Sequence, residues 1–517
     1  MIGARARKSL RVVAALLALA LLAPPASSRV GEKSRAAQVA DAITEIDLAR
    51  AEALLAETKT ETPALAFERA RLSIYRGDCD AAMATLARPE IGETKEGASL
   101  KALAESCARA TVAGFVMEDR ERGIWLRLQD DGDRALAPFL FEAAASARDA
   151  ASRVLGTDLP RPLRIDLVRD LFSLSAVSGL PLTAAETTGT LAVARWGRVI
   201  MLSPRATALG YPWQDTLAHE IVHLLITRAS RDYAPLWLQE GMAKRLETSF
   251  REPRPFDDPG WGDALAYKAL TEGRSVGIDR LGPSIAMLPT PDAAAIAFAE
   301  VTSFMGHFLE RAGEPALKLL LADLRGLSDR SPEPALRSVT GMGLEDWNAD
   351  WQRSLLAEPP PPLAPQHEGR GASRDTARRA RLSDLLLQRG HARSAAEVLA
   401  PIVRPEQREA SVRVRAARAY LEAGDAAAAR AALGTLTEID GVHGPWFGLR
   451  SRFLREDGDA AGAEHAVQIA IAVDPLAEEA ACAGMRRPRG SNGSDADLPV
   501  APERRALCEA ARERLRR

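Results

Sequence analysis

Asp215-Thr-Leu-Ala-His219-Glu220-Ile-Val-His223-Leu-Leu-Ile-Thr227 is an apolar stretch that carries two histidines and a glutamate in the order His-Glu-x-x-His. Residues four apart lie on the same face of a helix, so His219 and His223 can direct both imidazoles at one metal ion. Glu220 lies about 100° further round the helix, where its carboxylate can reach a water beside the ion but not the ion itself. The other face is apolar and predicts burial, because it carries Leu217, Ile221, Leu224 and Leu225.

Two core histidines that happen to lie four residues apart are the alternative interpretation. The chain has 7 histidines among 517 residues. A chance His-Glu-x-x-His is expected in roughly one in a hundred chains of this composition. The metal site is therefore the favoured interpretation.

A catalytic zinc site needs a third protein ligand and an open fourth position. The metzincin pattern would place glycine at position 226 and histidine at 229, but the chain has isoleucine and alanine there. The next histidine is His307, so a carboxylate is the expected third ligand. Glu240 is the best placed, and Asp232 is weaker because it lies in a polar turn. A surface glutamate at 240 is the structural alternative.

His219-Glu220-x-x-His223 followed by Trp237-Leu-x-Glu240-Gly241-x-Ala243 resembles the gluzincin group of zinc metallopeptidases. The resemblance is closest to bacterial peptidase MA-like domains joined to tetratricopeptide repeats, and it covers roughly residues 113–356. It implies an α+β zincin-like fold and one Zn²⁺ per chain on His219, His223 and Glu240. It also implies that Glu220 is the general base in peptide hydrolysis.

Further site residues are predicted less directly. Asp215, one turn before His219, is a candidate partner for an imidazole, although a carboxylate favoured by the helix dipole is equally consistent. Gluzincins add a Tyr or His donor that stabilises the oxyanion. Spacing does not choose among the three candidates Tyr233, Tyr267 and His307.

Two positions depart from the pattern of the family. Phe298 stands where a tyrosine is expected, and Lys244 stands where thermolysin-like enzymes have an acidic residue one turn after the third ligand. Both departures bear on catalytic efficiency rather than on the metal ligands.

The N-terminus predicts export. Residues 1–28 combine a basic start, an apolar run of about 12 residues and a small-residue cleavage zone, which is typical of a secretory signal. The apolar run is too short to span a bilayer with ease. An uncleaved anchor is the alternative. We expect a periplasmic or extracellular protein without a transmembrane segment in the mature chain.

Charge and cysteine content narrow the partners and the compartment. The formal charge is -2, and no basic stripe is interleaved with aromatics, so nucleic acid is not an expected partner. The cysteines Cys79, Cys107, Cys482 and Cys508 fall two by two, without Cys-x-x-Cys spacing. Two local disulfides suit an exported chain, but the pairing stays open and buried free thiols are the alternative.

The predicted organisation is multidomain, with an α+β metallopeptidase domain flanked by all-α helical hairpins. Residues 29–112 form an N-terminal helical, repeat-like region, and residues 113–356 mix strands with helices. Residues 189–194 are the expected strand that pairs with extended substrate, and a plain structural hairpin is an equally consistent alternative. A Pro-rich linker at 357–375 separates this domain from tetratricopeptide-like repeats at 376–485, and a polar linker with a last helix occupies 486–517. The turn glycines Gly390, Gly424 and Gly458 are each 34 residues apart, which is the tetratricopeptide period.

Three functions remain open at this point. The leading one is an exported zinc metallopeptidase acting on polypeptide, whose repeats dock a protein partner or the substrate. The second is a binding scaffold with a vestigial metal domain. The third is metal-dependent hydrolysis of a non-peptide amide, such as a cell-wall crosslink, at the same site.

Overall fold

A computed structural model describes residues 34–183, 190–207, 210–327, 331–362, 374–404, 407, 409–436, 443–483, 485 and 501–514. The predicted leader, most of the Pro-rich linker and the polar segment after residue 485 lie outside these ranges. The described chain is mostly helical and contains a small mixed sheet of five strands. The coarse prediction of helical parts around an α+β part is confirmed.

The N-terminal region is a series of capped helices. They are α1 (Arg35–Thr44), α2 (Leu48–Ala56), α3 (Pro63–Arg76), α4 (Cys79–Leu86), α5 (Pro89–Gly92) and α6 (Lys95–Thr111). Thr62 and Asp78 cap α3 and α4 by accepting backbone N–H groups. Gly77 ends α3 at φ 81°, and the disulfide Cys79–Cys107 ties α4 to α6. Local pairing of these cysteines is thereby observed.

The sheet has the order β1-β2-β3-β5-β4. Its inner strands β2, β3 and β5 run parallel, and the edge strands β1 and β4 are antiparallel to their neighbours. Trp196 and Gly197 both have positive φ, as a tight two-residue hairpin between β4 and β5 requires. The bounds are β1 (Phe115–Asp119), β2 (Ile124–Leu128), β3 (Leu163–Val168), β4 (Ala192–Arg195) and β5 (Arg198–Leu202). The predicted strand at 189–194 is therefore shifted, and position 189 lies outside the described residues.

Both faces of the sheet are covered by helices. The helix α7 (Ala137–Leu155) packs on one face, together with the helix Trp213–Ser230 that carries His219 and His223. The other face shares a core with α3, α4, α6 and α8 (Leu171–Ser178). The described part of the predicted N-terminal region, residues 34–112, packs on the α+β unit, because apolar side chains of β3 and β5 are buried against α3, α4 and α6.

A helical segment follows the sheet. Its members are α9 (Trp213–Ser230), α10 (Leu236–Leu246), α11 (Trp261–Thr271), α12 (Pro291–Arg325), α13 (Glu333–Thr340) and α14 (Leu344–Ala357). The long helix α12 is broken at Gly313, which has φ 80° and ψ 166°. Trp347 and Trp351 on α14 are buried in the core.

The C-terminal region contains three helical hairpins. They are α15 (Arg374–Gln388) with α16 (Ala392–Leu399), α17 (Ala410–Glu422) with α18 (Ala426–Leu433), and α19 (Gly444–Glu456) with α20 (Ala460–Val473). The turn glycines Gly390, Gly424 and Gly458 all have positive φ, as predicted. Two further helices, α21 (Glu478–Ala481) and α22 (Pro502–Arg514), are joined by the disulfide Cys482–Cys508.

The third hairpin packs against the start of α9. The indole Nε1 of Trp213 donates to the carbonyl of Ile471 at 3.0 Å, and the N–H of Tyr211 donates to the carbonyl of Val473 at 2.8 Å. The rings of Phe256 and Phe447 lie 5.9 Å apart beside this contact. Buried apolar surface thus joins the last hairpin to the α+β core, a contact that the predicted linker did not suggest.

A buried carboxyl beside the sheet gives a pH-dependent stability. Asp133 is fully buried, accepts from the Ser203 hydroxyl at 2.8 Å and pairs with Arg205, yet burial raises its pKa to about 6. Because folding raises this pKa, the carboxyl of Asp133 stabilises the folded protein while it is protonated. This contribution is fully present below about pH 4 and is lost as the pH rises through 6. As the pH rises from 4 to 7.5, the unfolding free energy of Asp133→Asn should increase by about 2–3 kcal/mol relative to that of the parent. Urea unfolding at the two pH values measures this difference. If the difference in unfolding free energy between variant and parent did not change with pH, the raised pKa of Asp133 would be contradicted.

Candidate metal centre

Three predicted ligands converge where α9 meets α10. His219 and His223 lie on one face of α9 with ring centroids 4.8 Å apart, and Glu240 faces them from α10. Its Oε2 lies 3.5 Å from Nε2 of His219 and 3.6 Å from Nε2 of His223. Over the described ranges, this is the one group of three His, Cys, Asp or Glu side chains whose ligand atoms all lie within 4.8 Å of one another.

The spacing of these atoms suits a zinc ion. Zinc binds His nitrogen and carboxylate oxygen at about 2.0–2.2 Å in tetrahedral geometry, which places two ligand atoms roughly 3.3–3.6 Å apart. The two measured Nε2 to Oε2 separations, 3.5 and 3.6 Å, match this value. Two imidazoles and one carboxylate also leave a fourth position, as a catalytic site requires.

The other ring nitrogens are held by acceptors. Nδ1 of His219 lies 3.0 Å from Oε2 of Glu247, and Nδ1 of His223 lies 3.1 Å from Oε1 of Gln239. Carboxylate and amide oxygens only accept, so they fix both rings with the proton on Nδ1 and leave each Nε2 free to bind a metal.

Glu247 was not singled out from the sequence. It lies seven residues after Glu240, two turns along the same face of α10, and that spacing is the signal that could have found it. The carboxylate that contacts His219 is therefore at position 247, directly after the helix, and not at position 244. Lys244 itself donates to the second oxygen of Glu247 at 2.7 Å.

Glu220 lies beside the cluster and against the free edge of the sheet. Its side chain is only 7% exposed, and Oε2 accepts the N–H of Ala194 at 2.5 Å. Leu202 donates to the carbonyl of Leu191 at 2.8 Å, so alternation along the antiparallel pair turns the N–H and C=O of Ala192 and Ala194 away from β5. The Glu220 carboxylate and the outward backbone groups of β4 therefore lie side by side.

Electrostatic interactions link the three candidate ligands and their neighbours. Burial opposes charge on His219, but hydrogen bonds to Glu240 and Glu247 outweigh it and raise the pKa of His219 to about 10. The facing imidazoles hold the pKa of Glu240 far below its usual range despite its burial. Burial raises the pKa of Glu220. Positive charge is thus favoured between these carboxylates, and a divalent cation would supply it.

Asp215 does not contact an imidazole. Arg251 holds both oxygens of Asp215, with Nε and Nη2 at 2.6 and 2.7 Å, and binds Asp257 as well. The prediction of Asp215 as a partner of a zinc ligand is therefore wrong. Its carboxylate fastens the loop after α10 to the first turn of α9.

The three candidate oxyanion donors lie in different places. Nε2 of His307 lies 2.9 Å from Oδ2 of Asp350, and its ring packs edge-on against Trp347. Tyr233 follows α9 half-buried in the turn, and Tyr267 is half-buried on α11. The structure gives His307 a structural partner, and the identity of the donor stays a prediction for the two tyrosines.

No family model, curated protein or solved structure matches this chain. Among the described helices, none combines the length and the apolar character needed to cross a membrane.

The carboxylates of Glu247 and Asp215 should differ in their effect on zinc affinity, because only Glu247 contacts an imidazole. Glu247→Gln is expected to weaken zinc affinity about 10- to 100-fold, because the acceptor that orients His219 loses its charge. Asp215→Asn is the matched control, since it should lower stability while leaving the zinc affinity of the folded protein unchanged. Chelator competition measures both affinities, and equal losses in the two variants would contradict the assignment.

Proposed function

We propose that the protein is a zinc-dependent metallopeptidase of gluzincin type. The observation that carries the proposal is the convergence of His219, His223 and Glu240 at zinc-ligand spacing, with Glu220 beside them at an open strand edge. Peptide hydrolysis needs metal ligands, a general base and a place for the substrate. A metal site that only stabilises the fold would not require a buried glutamate beside its ligands.

The substrate we propose is an extended polypeptide. The outward N–H and C=O groups of β4 form a template to which an extended chain can add as a further strand. The N–H of Ala194 already bonds the Glu220 carboxylate, so a peptide lying along this edge would pass within reach of the base. A main-chain template favours polypeptide over a branched or cyclic amide.

Glu220 would handle the proton. When bound, zinc would act as a Lewis acid that polarises the scissile carbonyl and lowers the pKa of the attacking water. Glu220 would accept a proton from that water and deliver it to the leaving nitrogen. Burial raises the pKa of its carboxyl, the direction that helps a general base to hold the proton before it passes to the leaving nitrogen.

Location and partners belong to the same proposal. The composition of residues 1–28 supports export to the periplasm or the outside, and two local disulfides suit an oxidising compartment. The 34-residue period supports tetratricopeptide-type repeats that bind a protein partner or the substrate. Because the third hairpin is docked on the enzyme, the first two hairpins are the part left to bind that partner.

The test is hydrolysis of an unfolded protein by the zinc-loaded chain. We expect cleavage that stops on chelation and returns with zinc, and no release of products from peptidoglycan fragments. Zinc binding without cleavage of any polypeptide would overturn the peptidase and favour the scaffold. Cleavage of peptidoglycan alone would favour the non-peptide amide.

A further inference from the structure

Lys244 stands at the position where the resembling family has an acidic residue. It lies on α10 one turn after Glu240, and its Nζ donates to Oε1 of Glu247 at 2.7 Å. The other oxygen of Glu247 lies 3.0 Å from Nδ1 of His219. Both oxygens of one carboxylate are therefore used, one for a cation and one for a zinc-ligand candidate.

Glu247 needs such support for two reasons. It is the C-cap residue that directly follows α10, where the partial negative charge of the backbone dipole disfavours a carboxylate. It also shares a largely buried region with the carboxylates of Glu220 and Glu240, both of which surround the same imidazoles. A nearby cation offsets both effects, and Lys244 supplies one within hydrogen-bond distance.

The surroundings of Lys244 fix its ammonium group. The rings of Trp261 on α11 and Phe298 on α12 each lie 5.9 Å from its Nζ, and the side chain is 28% exposed. Aromatic rings at this distance attract an ammonium. Phe298 and Lys244, the two positions that depart from the family pattern, are therefore neighbours in the structure.

We propose that Lys244 is a positioning residue of the metal centre. It holds Glu247 in the orientation that accepts the Nδ1–H of His219, and so directs Nε2 of His219 toward the metal position. The inference rests on the proposed zinc site and deepens it, since a Lys–Glu pair at 244 and 247 takes over the task of a single acidic residue.

Zinc and cobalt binding test this role without any substrate. Lys244→Met is expected to weaken zinc affinity about 3- to 30-fold in chelator competition, less than the removal of Glu247 itself. Lys244→Arg should recover most of the loss. The visible spectrum of the cobalt-loaded Lys244→Met chain should shift in the same direction as that of Glu247→Gln.

Controls separate positioning from net charge and from folding. Arg245 is exposed in the same last turn, and its guanidinium lies over Gly306 of α12, so Arg245→Met removes a cation without touching Glu247. It should bind zinc like the parent. In a Glu247→Gln background, Lys244→Met should cause no further loss, because Lys244 acts through Glu247. Circular dichroism of each metal-free variant identifies unfolded chains.

Three results would overturn the inference. They are zinc affinity of Lys244→Met within twofold of the parent or tighter, an equal loss in Arg245→Met, or a loss that adds fully to that of Glu247→Gln. A parent that binds no zinc would overturn the metal site as well. A parent that binds zinc but cleaves nothing would overturn the proposed function alone, and the role of Lys244 would still be measured.

Discussion

Glu220→Gln is expected to abolish most hydrolysis while zinc stays bound. The glutamine keeps the shape of the side chain but cannot accept the proton of the attacking water, and loss of a general base costs about 10²- to 10⁴-fold in rate. Glu220 lies outside the set of three ligands, so the zinc content should equal that of the parent. The measurement is kcat on an unfolded protein substrate together with metal analysis of the same sample.

Glu310→Gln is the matched control for this variant. Glu310 is an exposed glutamate on α12, so its neutralisation should change kcat by less than twofold. If Glu220→Gln kept more than a tenth of the parent's activity, Glu220 would not be the general base. If it lost its zinc, its carboxylate would have to be reassigned to the metal shell.

Trp213→Ala is expected to destabilise the protein by about 3–5 kcal/mol, the range for removal of a fully buried large aromatic. Trp213 is 1% exposed, begins the metal helix and bonds the backbone of the third hairpin. Trp213→Phe keeps most of the ring but leaves the Ile471 carbonyl without its donor, so it should cost about 1–3 kcal/mol. Urea unfolding followed by circular dichroism measures both.

Two comparisons test whether this contact joins the C-terminal hairpins to the α+β core. Phe172 is 71% exposed, so Phe172→Ala should change stability by less than about 0.5 kcal/mol. A chain ending at residue 362 removes all three hairpins and should fail to fold or bind zinc. If that short chain folded and bound zinc like the parent, the repeats would be an independent unit, as the linker had suggested.

The convergence of the three candidate ligands could be predicted because its signal is local. Helical periodicity puts His219 and His223 on one face, and the second motif points to Glu240. The turn glycines of the hairpins could be predicted for the same reason, since a left-handed residue in a tight turn strongly favours glycine. Such features depend on a few neighbouring residues and survive whatever the rest of the chain does.

The remaining features depend on residues that are distant in the sequence. Asp215 has a carboxylate in the right register for an imidazole, but Arg251 takes it, and no local pattern announces that arginine. The docking of Trp213 on Ile471 joins positions 258 residues apart. Glu247 was missed because the family pattern directs attention to position 244. In each case packing decides which of several compatible partners is used.

Metal content of the purified chain is the most direct test of the account. We expect one zinc per chain in the parent, and less than a tenth of that in His223→Ala, because two remaining ligands do not retain the ion through purification. Circular dichroism would show that the variant is folded. A parent without zinc, or a folded His223→Ala chain with its zinc intact, would contradict the metal centre assigned to His219, His223 and Glu240.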